Sequence, residues 1–375
     1  MREPGEQPIT NRALNRALLD RQLLLRRADF EPSKAIEHLL GLQAQEPMPP
    51  YYGLWSRLDG FDPNELGRML TEREVVRMTL MRGTIHLVTV RDALLLRPLL
   101  QPVIERVHNG SFGRRMGDAD PEQLASAVRA LLADEQLTAR ELGRRVVARG
   151  IGEDVEAMGA AVRAYVPLVQ VPPRGVWGAG GQAKYAPLES WTGREQEAAP
   201  SIDEVVLRYL GSFGPASVMD MQYWSGLTKL KEVFERLRPK LVTFLNEDDK
   251  ELFDLPDAPR PDPETAAPAR FLGEYDNVLL GHADRRRIIP ADFPWQGMLA
   301  PGRFVSNLLV DGVVRATWWI EREGKGTQRA TLAIRPFRRL SPAEREEVSA
   351  EALRMIEFAA SDADARDVRF EPAIS

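Results

Sequence analysis

Two glutamines one residue apart, Gln43 and Gln45, carry the first chemistry that this sequence suggests. They stand in Gly41-Leu42-Gln43-Ala44-Gln45-Glu46-Pro47-Met48-Pro49-Pro50, after an apolar helical run and before the aromatic stretch Tyr51-Tyr52-Gly53-Leu54-Trp55. A primary amide does not titrate near neutrality, but its carbonyl accepts and its NH2 donates hydrogen bonds. Such a pair can place a water and stabilise developing charge through oriented dipoles, by positioning more than by proton transfer. On a helix the two side chains would point to nearly opposite sides, because each residue advances about 100°. They share a site only if the helix stops between or just after them, and Pro47 favours that by pushing Glu46 out of the helical region. The expectation is a helix C-terminus that opens into a pinned loop presenting two neutral amides. Two surface glutamines at a frayed helix end are the plainer alternative. Glu46, a carboxylate beside the pair, is a rival catalytic candidate, although a neighbour at a helix end points elsewhere.

Other catalytic constellations are missing from the sequence. Histidines occur only at positions 38, 86, 108 and 282, without metal-binding spacing. There is no cysteine, which excludes disulfides, thiolate catalysis and Cys-ligated zinc or iron–sulfur sites. No phosphate-binding P-loop, dinucleotide fingerprint or serine nucleophile elbow occurs. No metal and no cofactor is expected. His38 and His86 read as packed or surface residues. Tyr51, Tyr52 and Trp55 recur at helical spacing, which suits core packing better than base stacking. Arg82-Gly83-Thr84 has the composition of an anion-binding turn, and a hairpin turn explains it equally well.

The elements that must position these residues follow from periodicity and caps. At 375 residues the chain has room for two to three domains, and its 43% apolar and 28% charged residues are ordinary for a globular protein. No apolar run approaches the roughly 20 residues of a membrane span, and the N-terminus lacks a secretory h-region, so a cytoplasmic protein is expected. Helices are expected over 10–27, from Pro32 to about Leu40, over 63–71 and over 91–100, with strands from Val75 to Met81 and Ile85 to Val90. Helices followed by a hairpin is the order of a winged helix. The pattern recurs: helices from Pro121 to Leu132, from the capping box at Thr138 to Gly150 and over 154–165, then strands at Val169–Val171 and Val176–Trp177. A third round has helices from Ser201 to Leu210, from Gly214 to Trp224 and from Lys229 to Leu237, then strands at Leu241–Leu245 and Glu251–Leu255 around an acidic tip. Short helix, Gly-containing turn and second helix also spell a helix-turn-helix. Residues 256–269 form a proline-rich linker. Beyond it, strands are expected at Phe271–Leu280, Phe304–Val310, Val313–Ile320 and Arg329–Ile334, then a helix from Ser341-Pro342 to about Ala360. The expected architecture is α+β and mainly helical, with modules at 1–110, 111–198 and 199–256 and a β-rich region with a closing helix at 257–375.

Net charge is −5, which alone argues against a general nucleic-acid binder. Its distribution is uneven. Residues 246–265 hold eight acids against Lys250 and Arg260, whereas residues 284–340 hold eleven Lys/Arg against five acids, a net of +6. Such asymmetry permits a local basic face. Only seven of the basic residues are lysine, which suits phosphate recognition or merely a GC-rich genome. The densest stretch, Gly281-His282-Ala283-Asp284-Arg285-Arg286-Arg287, follows an apolar strand pattern and reads as a phosphate contact or a solvated charge run.

Taken together, Gly41-Leu-Gln-Ala-Gln45, Tyr52-Gly-Leu-Trp-Ser-Arg57, Met81-Arg-Gly-Thr-Ile-His86 and Glu274-Tyr-Asp-Asn277 through His282-Ala-Asp-Arg285 resemble the winged-helix DNA glycosylases of the AlkZ type, from about residue 10 to 355 and in the family's order. The resemblance implies three tandem winged helices in a C-shaped arrangement around double-stranded DNA. It also implies Gln43 and Gln45 as the catalytic Gln-x-Gln pair, and excision of N7-alkylated purines, including bulky natural-product adducts or interstrand crosslinks. With no lysine in the motif, a monofunctional enzyme leaving an abasic site is expected, acting as a monomer. His282, Arg285, Arg286, Arg287, Arg303 and Lys325 are the DNA-contact candidates, with Phe293 or Trp295 as a minor-groove wedge. Asp276 and Asn277 match the family motif, either touching DNA or fixing the loop. Two other readings compete. One is a non-enzymatic DNA-binding regulator reading bases from the 227–238 helix through Lys229, Lys231, Arg236 and Arg238. The other is a protein that sequesters the free alkylating agent.

Overall fold

Thr10 accepts from the Ala13 N–H and starts α1 (Asn11–Arg21), the first element of a computed structural model that describes residues 8–290, 293, 299–300, 303–324 and 329–374. The chain continues through α2 (Pro32–His38), β1 (Leu42–Gln43), α3 (Pro49–Arg57), α4 (Pro63–Thr71), β2 (Val75–Thr79), β3 (Ile85–Thr89) and α5 (Val90–Met116). Asp62 caps α4 ahead of a first-turn proline, which is why this helix begins where the sequence expects. Helix α5 runs well past residue 100, through Pro98 and Pro102. Leu94, Leu95, Leu96, Leu100, Val103 and Ile104 are buried along it, and that burial offsets the lost backbone bonds.

The next stretch holds α6 (Pro121–Leu132), β4 (Leu137–Thr138), α7 (Ala139–Val147), α8 (Val155–Tyr165), β5 (Leu168–Gln170), β6 (Lys184–Pro187) and α9 (Leu188–Thr192). The capping box of Thr138 and Glu141 forms as spelled. The partner of β5 is β6 rather than residues 176–177, which lie in a turn-rich connection. Strands from this stretch and the preceding one merge into a single six-stranded sheet, in the order β1-β3-β2-β5-β6-β4.

Then come α10 (Ile202–Phe213), α11 (Val218–Ser225), α12 (Lys231–Leu237) and the hairpin of β7 (Val242–Leu245) with β8 (Glu251–Asp254). Strand β9 (Arg270–Leu272) is short, and the expected strand to Leu280 gives way to α13 (Asn277–Leu280) because Asp276 caps a helical turn there. The chain ends with β10 (Leu299–Ala300), β11 (Arg303–Phe304), β12 (Ser306–Val310), β13 (Val313–Glu323), β14 (Arg329–Pro336), α14 (Pro342–Ala359) and β15 (Ala365–Phe370). Asp311 and Gly312, with φ of 47° and 78°, make the tight turn between β12 and β13. The five-stranded sheet β15-β14-β13-β12-β9 buries Phe271, Leu308, Trp318, Leu332 and Ile334 against Val348, Ala352, Met355 and Ile356. Strand β15, parallel to β14, was not legible in its charged sequence. The fold is α+β. Among the described residues no helix is long and apolar enough to cross a membrane.

Candidate active site

The two glutamines are brought together at the β2–β3 turn, Gln43 from the end of a short strand and Gln45 from the bend that follows it, not because a helix ends on them. Helix α2 stops at His38, and the chain turns at Leu40 and Gly41 with φ of 55° and 90°. Only glycine fits position 41, since a Cβ there would lie 2.5 Å from Val88 Cγ1 and 2.9 Å from the Leu87 carbonyl oxygen. Strand β1 then pairs with β3, Leu42 with Leu87 and Gln43 with His86, and the Ala44 N–H donates to the Ile85 carbonyl at 2.7 Å. Leu42 and Ala44 enter the core beside Ile36, Tyr51 and Leu54. Gln43 is buried at the end of the strand and Gln45 is exposed in the bend after it, and their side chains reach Arg82 and Ile85 of the same turn. The expected helix end at the pair is corrected, since α2 stops at His38, whereas residues 45–48 do form a loop around Pro47.

Each glutamine is held by its carbonyl oxygen. Gln43, 7% exposed, accepts from Arg82 Nη2 at 2.8 Å, and the exposed Gln45 accepts from the Ile85 N–H at 3.3 Å. A guanidinium and a backbone N–H only donate, so the amide oxygens, not the NH2 groups, must face them. Neither NH2 group is bonded among the described residues. Glu46 is exposed and has no hydrogen bond among them.

Buried side chains brace this strand. Arg77 on β2 donates to the Ala44 carbonyl at 2.7 Å, between the two glutamines. Burial pulls the guanidiniums of Arg77 and Arg82 down to about 10, so both stay charged at neutral pH. No carboxylate pairs with either one among the described residues. Asn277 Nδ2 donates to the carbonyls of Leu39 and Gly41 at 3.3 and 2.9 Å and so holds the turn into β1. Asp276 binds the fully buried Arg57 of α3 with both oxygens, at 2.8 and 2.7 Å. The Asp276-Asn277 pair therefore fixes the glutamine loop. His86, across from Gln43, bonds the Thr84 carbonyl through Nδ1 at 3.1 Å. Burial, reinforced by Arg82, pushes its imidazole down to about 3, so it is neutral and supplies no acid at neutral pH.

The expected DNA-contact residues do not form one basic patch. His282 is 1% exposed and bonds the Phe213 carbonyl at 2.9 Å, and Arg287 is 5% exposed and donates to the Pro215 carbonyl at 2.9 Å. Both tie the 281–287 stretch to the end of α10, and contact with DNA from these buried positions is corrected to an internal role. Arg285 is half-buried. Arg286 is exposed but paired with Asp284 and with Asp248 of the acidic β7–β8 tip. Phe293 is buried with its ring 4.9 Å from Phe337, so it is a core residue and no wedge. Arg303 belongs to β11, while Trp295 and Lys325 lie outside the described residues. The aromatic run packs internally: Tyr51 against Trp177, Tyr52 against Trp318, Trp55 against Phe358, at 5.0, 5.4 and 5.7 Å. On α12 and its end, Arg236 pairs with Asp203, and Arg238 with Glu235 and Glu251. Lys229 and Lys231 are exposed. Sequence reading passed over Arg77, although a charged residue in the apolar run Val75-Val76-Arg77-Met78 is a signal of a buried polar role.

Comparison with known proteins places this scaffold in a family. The family model described as "DNA glycosylase AlkZ-like" matches residues 36–358, and the chain belongs to that family of DNA glycosylases. Among individual relatives, it is 25% identical over 331 residues to the "Interstrand DNA cross-link repair glycosylase" of Streptomyces sahachiroi, an alignment spanning 80% of this chain and 85% of that protein. In fold it is similar to the solved structure of Streptomyces sahachiroi DNA glycosylase AlkZ, with a TM-score of 0.76 and 21% identity, covering 97% of this chain and 100% of that one.

Proposed function

We propose that this glycosylase hydrolyses the N-glycosidic bond of N7-alkylated purines in double-stranded DNA, with Gln43 and Gln45 as its catalytic residues and an abasic site as the product. The observation that carries the reading is the amide pair at the β2–β3 turn, both carbonyls anchored and neither NH2 group bonded among the described residues, beside a histidine that stays neutral. An N7-alkylguanine is a cation, so it leaves as a neutral base when the C1′–N9 electron pair departs with it. Little acid catalysis is then required. The sugar passes through an oxocarbenium-like state, water forms the new C1′–O bond, and its proton passes to solvent. Each amide oxygen retains a second lone pair, and Gln45, exposed and with the longer 3.3 Å bond, is the better placed to accept from that water. In the same reading the three helix-and-hairpin units, residues 1–110, 111–198 and 199–256, act as winged helices in a C shape around the duplex, and the enzyme works as a monomer. Bulky adducts and interstrand crosslinks fall within the proposed substrate range, as the name of the Streptomyces relative suggests.

Release of modified base from duplexes carrying methyl, bulky or crosslinking N7-guanine adducts tests the proposal. Gln43→Ala and Gln45→Ala are each expected to lower kcat about 100-fold or more, as loss of an oriented dipole does elsewhere. Full activity in the double alanine variant would sink the mechanism. Because the residues involved do not ionise near neutrality, kcat is expected to be flat between about pH 6 and 9.

A further inference from the structure

We infer that Arg82 is a positioning residue that fixes Gln43 as a hydrogen-bond donor to the nucleotide, which leaves water-holding to Gln45. This inference rests on the glycosylase reading above and divides the work of its two glutamines. Four observations converge on Arg82. It occupies the turn between β2 and β3 with a φ of 56°, a left-handed conformation that a long side chain rarely adopts. An outlier of this kind at a site points to a constraint on where the side chain must go. One end of its guanidinium donates to Gln43 Oε1 at 2.8 Å, and the other donates to the Trp224 carbonyl at the end of α11. No carboxylate neutralises it among the described residues, so its charge is held by carbonyl dipoles alone. Finally, Gly226 after α11 lies against the turn, where a Cβ would clash with Val103 Cγ1 at 2.7 Å and come into contact with Arg82 Cα at 3.4 Å.

The chemical consequence is directional. With a cation fixed on one lobe of its oxygen, Gln43 cannot flip its amide without setting NH2 against guanidinium. Its NH2 is therefore presented on the side away from Arg82. The acceptors that a damaged nucleotide offers to such a donor are the sugar ring oxygen, purine N3 and phosphate oxygens. Gln45 receives on its oxygen, among the described residues, one backbone N–H at the longer 3.3 Å, so it is oriented the same way but held less tightly and lies exposed. The pair is thus asymmetric, one donor to the substrate and one acceptor for water.

Single-turnover base release in a double-mutant cycle tests the inference. Arg82→Met is expected to lower kcat about 10- to 100-fold with KM for DNA unchanged, as misplacement of a positioned group does. In a Gln43→Ala background the same change is expected to cost less than about 3-fold, because residues that act as a unit are not additive. Gln43→Glu keeps an oxygen for Arg82 but loses the NH2, and is expected to be as slow as Gln43→Ala. Arg82→Lys, which keeps the charge and one bond and guards against misfolding of the methionine variant, is expected to recover most of the rate. An equal loss from Arg82→Met in both backgrounds, or wild-type rate in Gln43→Glu, would overturn the inference. A readout independent of catalysis separates it from the glycosylase reading. In 15N-glutamine-labelled protein, the Gln43 side-chain NH2 pair, assigned by its absence in Gln43→Ala, is expected to shift and exchange faster in Arg82→Met. An unchanged pair overturns the Arg82 assignment even in a fully active enzyme. Absence of base release by the wild type overturns the function instead.

Discussion

Asn277 and Asp276 show how much of the candidate site depends on buried residues that hold its backbone. Asn277 satisfies two carbonyls in the turn at Leu39 and Gly41, and Asp276 neutralises an arginine with no exposed surface. Removing one partner of a buried ion pair leaves the other charge uncompensated, which costs about 3–5 kcal/mol. Asp276→Ala is therefore expected to lower the unfolding free energy by that amount, read as a drop in the urea midpoint at unchanged m-value. Asn277→Ala loses no charge but leaves two buried carbonyls without their donor, about 1–3 kcal/mol, so its midpoint is expected to fall less than that of Asp276→Ala while its kcat falls. The difference follows from what each side chain holds: Asp276 holds α3 and α13 together, while Asn277 holds only the approach to Gln43. Both residues stand out in sequence only through their place in a motif, since spacing alone does not tell a brace from a contact.

At the scale of the element, β1 is the part of the site that sequence reading placed on the wrong kind of structure. The alternation Leu42-Gln43-Ala44-Gln45 is a strand pattern, apolar residues inward and amides outward, but it is four residues long and follows an apolar helical run. What ends that run is Leu40 at positive φ, a conformation that leucine does not advertise. Where caps are written into the chain, expectation and structure coincide, as for α4 behind Asp62-Pro63 and α6 behind Asp120-Pro121. Where pairing depends on distant partners, as for β6 and β15, composition carried no signal. The glutamines were thus legible as a candidate pair, their meeting place at the β2–β3 turn was not, and Arg77 beneath them was signalled only by its charge within an apolar run. The strand assignment has its own test. Gly41→Ala forces a Cβ into Val88 at a φ of 90°, a strain of about 1–3 kcal/mol that the loop can relieve only by moving β1. Its melting temperature is expected to fall and base release to fall with it, whereas Gly60→Ala, at a φ of 63° with open space around it, is expected to lower the melting temperature without affecting base release.

On the scale of the whole molecule, the acidic run that the sequence displays is partly neutralised within the fold. Asp248 of the acidic tip holds Arg286, and Asp254 holds Arg21 and Arg260. Histidines behave as uniformly as these pairs. All four are pulled below the ordinary imidazole value, in each case first by burial: His38, His86 to about 3, His108 and His282. The sign of the pH effect follows directly. A folded state that keeps its imidazoles neutral binds fewer protons than the unfolded chain, so stability rises with pH wherever unfolded histidine is charged. For His86 that window runs from about 3 to about 6.5. At pH 5 the unfolded imidazole is favoured by about 1.5 pH units of protonation, which is about 2 kcal/mol from this one side chain. Carboxylates act lower: Asp284 and Glu344 are held at about 2 by Arg286 and Arg338, so their contribution persists above the ordinary carboxylate value and is lost only as pH falls toward 2. Urea unfolding is therefore expected to give a midpoint that is level above about pH 7 and falls steadily between pH 6.5 and 4, with proton uptake on unfolding in that range. In His86→Gln the slope is expected to be shallower. A midpoint independent of pH from 7 to 5 would contradict the neutral, buried imidazole beside Gln43, and with it the argument that this active site works without an acid.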